Sequence, residues 1–103
     1  MTSYILSPDA RRDAVDLVEY IGADNEAAAF RVRDRLFAAF DRLAEQPGLG
    51  HVRDDLIRRD AGVRFWPIGT YLVVYRPAVN EIQIVRVLSG YRDVAAILGA
   101  APG

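Results

Sequence analysis

One histidine, thirteen arginines and five tyrosines are the side chains in this sequence best suited to chemistry. A histidine works as base, acid or metal ligand only with partners in reach. His51 stands in a glycine-rich stretch without a Ser, Cys or acidic partner at ligand spacing, and reads as a surface-loop residue. The absence of cysteine removes disulfides, thiolate metal sites and a thiol nucleophile, and fits a reducing compartment. Every basic residue is arginine, whose planar fork suits bidentate contact with carboxylate or phosphate. The charge is divided unevenly: residues 1–50 carry six arginines against nine acids, and residues 51–103 carry seven against five. The run from Arg53 to Asp60 is nearly balanced and reads as a solvated loop. With no glycine-rich phosphate loop and no basic stripe interleaved with aromatics, direct nucleic-acid binding is not expected, and neither is a metal or cofactor.

The elements that position these side chains follow from the hydrophobic spacing. Tyr4-Ile5-Leu6 is a short β-compatible run, closed by a helix start: Ser7 as N-cap, Pro8 at the first helical position, Asp9 in the first turn. Ala10, Ala14, Leu17, Val18 and Ile21 then recur at helical spacing, and Gly22 is a stop. Asp24 or Asn25 caps a second helix whose stripe runs Ala29, Phe30, Leu36, Phe37, Phe40, Leu43 and Ala44 before Gln46-Pro47-Gly48 ends it. The short link makes the two helices an antiparallel hairpin. Residues 47–62 read as a loop, and three strands follow at 63–68, 70–76 and 81–88 as an antiparallel meander. A short helix from Asp93 to Leu98 closes the chain. The expected fold is α+β: an N-terminal strand and a helical hairpin on a small, mainly antiparallel sheet, in one domain over residues 1–103.

Alternation places Tyr71, Val73 and Tyr75 on one face of the middle strand and Leu72, Val74 and Arg76 on the other. In the last strand it sets Ile82, Ile84, Arg86 and Leu88 opposite Gln83, Val85 and Val87. Both faces are apolar; the two helices cover one, and only the short helix from Asp93 to Leu98 is left for the other. Part of a tyrosine-bearing face is therefore expected to await something outside the chain, since soluble proteins seldom expose contiguous apolar patches without a use.

Four motifs, in order, resemble the ParE/RelE toxin superfamily: Tyr4-x-Leu6-Ser7-Pro8; Pro47-Gly48-Leu49-Gly50; Arg64-x-x-Pro67-x-Gly69-x-Tyr71-Leu72-x-x-Tyr75-Arg76; and Ile84-x-Arg86-Val87-Leu88-x-Gly90-x-Arg92-Asp93. The resemblance spans residues 4–98. It implies one of two activities. RelE-like members cleave mRNA in the ribosomal A site with lysines, arginines and a C-terminal tyrosine; ParE-like members bind DNA gyrase and trap its cleaved-DNA complex. Of the cleaving set only Arg92 has a clear match here: the sequence has no lysine, Tyr71 or Leu72 falls at the strand arginine, and Ile97 and Leu98 fall where the tyrosine belongs. Ser89 stands where many relatives carry histidine. RNA cleavage needs a base, an acid and charge stabilisation in one place, so the resemblance favours the ParE branch, with no catalytic residue.

The resemblance further implies silencing by a ParD-like antitoxin whose C-terminal segment folds across the toxin, giving a toxin–antitoxin hetero-oligomer. Arg64, Trp66, Tyr71, Val73, Tyr75 and Arg86 are the expected antitoxin contacts, with Trp66 also readable as core. Tyr91, Arg92 and Asp93 are the candidates for touching the target; Arg92 with Asp93 also reads as an ion pair and helix cap. The competing readings are an mRNA endoribonuclease and a non-toxic relative kept as an antitoxin-bound component. Met1-Thr2-Ser3-Tyr4 has no basic region leading into an apolar run, and no stretch approaches the roughly 20 residues that span a bilayer, so a cytoplasmic, membrane-free protein is expected.

Overall fold

Ser7 joins the two halves of the fold. Its hydroxyl accepts from the Ala10 amide at 3.0 Å, capping a helix, and donates to the Val85 carbonyl at 2.8 Å, seventy-eight positions away in a strand. The computed structural model describes residues 3–55, 62–78, 80–90 and 94–98. In chain order they form β1 (Ser3–Leu6), α1 (Pro8–Gly22), α2 (Glu26–Glu45), β2 (Arg64–Ile68), β3 (Tyr71–Arg76), β4 (Glu81–Ser89) and a single turn, α3 (Val94–Ile97). The fold is α+β, as the sequence predicts. Asn25 begins α2 by accepting from the Ala28 amide at 3.0 Å.

The strands lie in the order β1-β4-β3-β2, with β1 parallel to β4 and the other pairs antiparallel. Gly69 takes φ 59° in the two-residue turn between β2 and β3, a left-handed conformation that costs glycine little. β1 is short. It pairs only with Glu81–Ile84, so among the described residues the outer edge of β4 beyond Ile84 has no strand beside it. The α1 end of the helical layer fills that gap: Ser7 takes the Val85 carbonyl, and the Asp13 carboxylate accepts from the Val87 amide at 2.9 Å. Buried edge groups are thereby satisfied, where each unmet one would cost about 1–3 kcal/mol.

Both faces of the sheet are packed. The helix-side core joins Ala10, Leu36, Phe40 and Leu43 to Val73, Tyr75, Ile82, Ile84 and Val87. The opposite core joins Phe65, Leu72, Val74 and Leu88 to Val63 and Val94, with Leu98 against it. The expectation of an uncovered apolar face is corrected. The tyrosine-bearing face lies beneath the helices and is not an open docking face: Val73 and Tyr75 are both 0% exposed. The other face is closed as well, Phe65 and Leu72 being 1% exposed and Val74 0%.

The alternation expected for β4 also breaks midway. Val74 pairs with Arg86 and Tyr75 with Ile84, leaving Val85 without a partner in β3. That extra residue is a β-bulge, which reverses the facing of everything after it. Val87 accordingly joins the helix-side core with Ile82 and Ile84, while Leu88 joins the opposite one.

Candidate partner-binding surface

Tyr75 is a structural latch. Its ring lies in the core, and its hydroxyl donates to the Pro47 carbonyl at 2.6 Å and accepts from the Gly50 amide at 2.8 Å. Burial pushes its pKa above the ordinary 10.0, against smaller lowering effects of the Gly50 hydrogen bond and of Arg64. Only glycine fits at position 50, where a Cβ would sit 2.5 Å from the Tyr75 hydroxyl oxygen. The latch continues through Arg64, whose Nη1 donates to the Gly50 carbonyl at 2.8 Å, and through His51 and Phe65, which exchange two backbone bonds of 2.8 Å.

The expected antitoxin contacts therefore separate. Val73 and Tyr75 offer no surface. Arg64 holds the loop after α2, and Arg86 forms a bidentate pair with Asp13 at 2.7 and 2.9 Å. The hydrogen bond to Asp13, first among the causes, raises the Arg86 pKa. Trp66 is half-buried, stacked at 6.2 Å on the exposed His51 imidazole and lying 6.0 Å from the Arg42 guanidinium. Tyr71 is half-buried beside Val32, Arg35 and Ile68 in a small cleft. Trp66 and Tyr71 thus keep partly open aromatic surface along the β2–β3 margin. Tyr91, Arg92 and Asp93 lie outside the described residues, as does the part beyond Asp55 of the charged run from Arg53 to Asp60. Within that run Arg53 pairs with Asp55 at 2.7 Å, and the hydrogen bond lowers the Asp55 pKa.

Accessible apolar surface also lies on the helical hairpin. Val15 is 48% exposed, Phe37 46% and Phe30 47%. Between α1 and α2 runs a trough of about 210 Å³ walled by Leu6, Val15, Val18, Phe37 and Phe40, with Arg11 and Arg33 as its charged lining residues. It adjoins a wider hollow of about 440 Å³ that adds Pro8, Arg12 and Asp16. The sequence reading placed Phe30 and Phe37 in the core stripe of α2. The signal against that was their seven-residue spacing, which sets them together at one margin of an arc wider than a single sheet face can bury. Among the described residues no group of His, Cys, Asp and Glu is placed to hold a metal, and no helix is long and apolar enough to cross a membrane.

Residues 4–94 match the family described as ParE toxin of type II toxin-antitoxin system, parDE. The chain belongs to this ParE toxin family. Toxin ParE3 of Caulobacter vibrioides is 35% identical over 66 residues, 64% of this chain and 63% of that relative, so the match spans somewhat under two thirds of the relative's length. A solved structure titled "Chromosomal ParDE TA system from P. aeruginosa" aligns with a TM-score of 0.70 over 87% of this chain and 96% of that one, at 17% identity. At that identity the likeness is one of fold. It shows that this β-α-α-β-β-β arrangement is shared with that chain.

Proposed function

We propose that this ParE-family chain acts by binding, with DNA gyrase as its target, and that a cognate antitoxin silences it in the cytoplasm. The observation that carries the reading is how the strand arginines are used. A ribonuclease would need free cationic groups aimed at one phosphate, together with an acid and a base. Arg64 is bonded to the Gly48 and Gly50 carbonyls and Arg86 is bonded to Asp13. Tyr75, the β3 partner of Arg64, has its hydroxyl enclosed by Pro47 and Gly50. These groups support the architecture, and an activity made of surface complementarity fits what is left.

The purified chain, titrated into a DNA supercoiling reaction, is expected to inhibit gyrase and to accumulate its cleaved-DNA complex. Unimpaired supercoiling at a large molar excess, with cuts appearing in mRNA on stalled ribosomes that Arg92→Ala abolishes, would replace this reading with RNA cleavage. Tyr91, Arg92 and Asp93 are the proposed target contacts, and alanine at each is expected to weaken gyrase inhibition while leaving antitoxin binding intact. Trp66, Tyr71 and the exposed parts of Arg64 and Arg86 are proposed as antitoxin contacts.

A further inference from the structure

Resting on the gyrase reading above, we infer that the β2-facing flank of α2 touches the phosphate backbone of the duplex DNA that the target holds. A binder accumulates one state of its target only by preferring that state. Gyrase with cleaved DNA differs from free gyrase first in the nucleic acid it carries, and a direct contact with that DNA supplies the preference.

The surface is assembled from α2 and the β2–β3 margin. Arg31, Arg35 and Arg42 are all exposed, and their positions at i, i+4 and i+11 set them on one stripe of the helix. With a rise of 1.5 Å per residue the stripe is about 16 Å long, a length over which one strand of duplex DNA presents about five phosphates. Among the described residues none of the three arginines forms an ion pair. Arg42 lies 6.0 Å from the Trp66 ring, on which the exposed His51 imidazole also stacks. Arg35 lines a small cleft with Tyr71 and leans on the β2–β3 turn, its Nη2 3.4 Å from where a Cβ on Gly69 would sit.

The acids of α2 turn the other way. Asp34 pairs with Arg33 at 3.3 Å, and Asp41 acts on Tyr4 in β1, the edge of the sheet opposite β2. The row of guanidiniums is thus left to a polyanion. The sequence argued against nucleic-acid contact for want of a basic stripe interleaved with aromatics, and folding makes one, by bringing Trp66 and Tyr71 from the sheet beside arginines of the helix. A carboxylate surface on the target would meet the same charges, but it is present with or without DNA and supplies no preference for the cleaved complex. With a formal net charge of −1 the free chain holds DNA weakly, so the contact adds to protein–protein binding and does not replace it.

The test begins with fluorescence anisotropy of a labelled DNA duplex titrated with the free chain at a series of salt concentrations. The logarithm of affinity is expected to fall against the logarithm of salt with a slope of about −2.7 for three phosphate contacts. Arg31→Gln, Arg35→Gln and Arg42→Gln are each expected to take about 1 from that slope, and the triple variant to bind the duplex at least tenfold more weakly at low salt. Lysine at all three positions is expected to keep the slope, which separates lost charge from lost fold. Glutamine at Arg11, Arg12 and Arg76 together matches the net charge of the triple variant and should leave binding nearly unchanged. Affinity for gyrase is then measured with and without DNA. DNA is expected to tighten binding of the unaltered chain about tenfold and to leave that of the triple variant unchanged. If the unaltered chain binds gyrase in neither condition, the gyrase reading falls and this inference with it. If gyrase is bound and the triple variant responds to DNA as the unaltered chain does, the inference alone is overturned. It is also overturned if the charge-matched control loses the duplex equally, or if the triple variant loses gyrase with no DNA present, since the arginines then meet carboxylates of the protein.

Discussion

The carboxylate of Asp13 accepts hydrogen bonds from two consecutive residues of β4, from both Nε and Nη2 of Arg86 and from the backbone amide of Val87. One side chain on α1 thus performs for the sheet edge what a longer β1 would otherwise do, and fastens the helical layer to the strand that pairs with both β1 and β3. The pair is mostly shielded, with side-chain exposures of 24% for Arg86 and 16% for Asp13.

Removing that carboxylate orphans a guanidinium and an amide together. Asp13→Ala is expected to lower stability by about 2 kcal/mol, and Asp13→Asn by about 1 kcal/mol, because the amide oxygen still accepts from Val87. For a chain of this size the first change lowers the melting midpoint by roughly 10 °C. Thermal unfolding followed by circular dichroism checks it; a midpoint unchanged in Asp13→Ala would show that water replaces the carboxylate at no cost.

Two variants at the latch after α2 are expected to fail for different reasons. Tyr75→Phe keeps the ring and loses both hydroxyl contacts, leaving the Pro47 carbonyl and Gly50 amide unmet, at about 1–3 kcal/mol. Gly50→Ala forces its new methyl into the Tyr75 hydroxyl and is expected to destabilise by a similar amount through displacement. Combining them relieves part of the clash, so the double variant loses less than the sum of the two; chemical denaturation of all four proteins measures that difference.

Stability is expected to fall at alkaline pH. Burial raises the pKa of Tyr75 and, with help from the Asp41 charge, that of Tyr4. A raised pKa means that the folded state holds its proton more tightly than the unfolded chain does. The associated stabilisation is complete below the ordinary value of 10.0 and is lost as pH climbs from there through the folded-state pKa. Denaturation midpoints from pH 8 upward, compared with those of Tyr75→Phe, should show a shallower decline in the variant; parallel curves would assign the loss to other groups.

Ser7→Ala removes a helix cap and a strand contact at once. The cap alone contributes about 1 kcal/mol, and the bond to the Val85 carbonyl raises the expected loss to about 1–2 kcal/mol. Ser7→Thr retains both functions and should recover most of it in the same unfolding assay.

What could be read from the sequence depended on how local its cause was. The start of α1 is written in Ser7-Pro8-Asp9, that of α2 in Asn25, and the β2–β3 turn in Gly69, because caps and turns act within four residues. The two faces of β3 follow from simple alternation and are as expected. The facing of Val87 and Leu88 was not legible, since the bulge at Val85 leaves no mark in an apolar run that is oily at every position. The burial of Val73 and Tyr75 was also out of reach, because periodicity says that a face is apolar without saying which layer lands on it. Asp13 and Arg86 could be seen as charges, but their meeting across seventy-three positions is a tertiary event. The exposure of Phe37 beside the buried Phe40 was only half legible: the seven-residue spacing to Phe30 put both at one margin of the stripe, and the placement of α1 settles which ring is covered.

The antiparallel bridge between His51 and Phe65 gives the charged insert that follows the latch a common root. The bridge holds residues 51 and 65 side by side, so the closure entropy of the segment between them grows only by about 0.6 kcal/mol for each doubling of its length. Residues added between those two positions are therefore expected to cost the fold little.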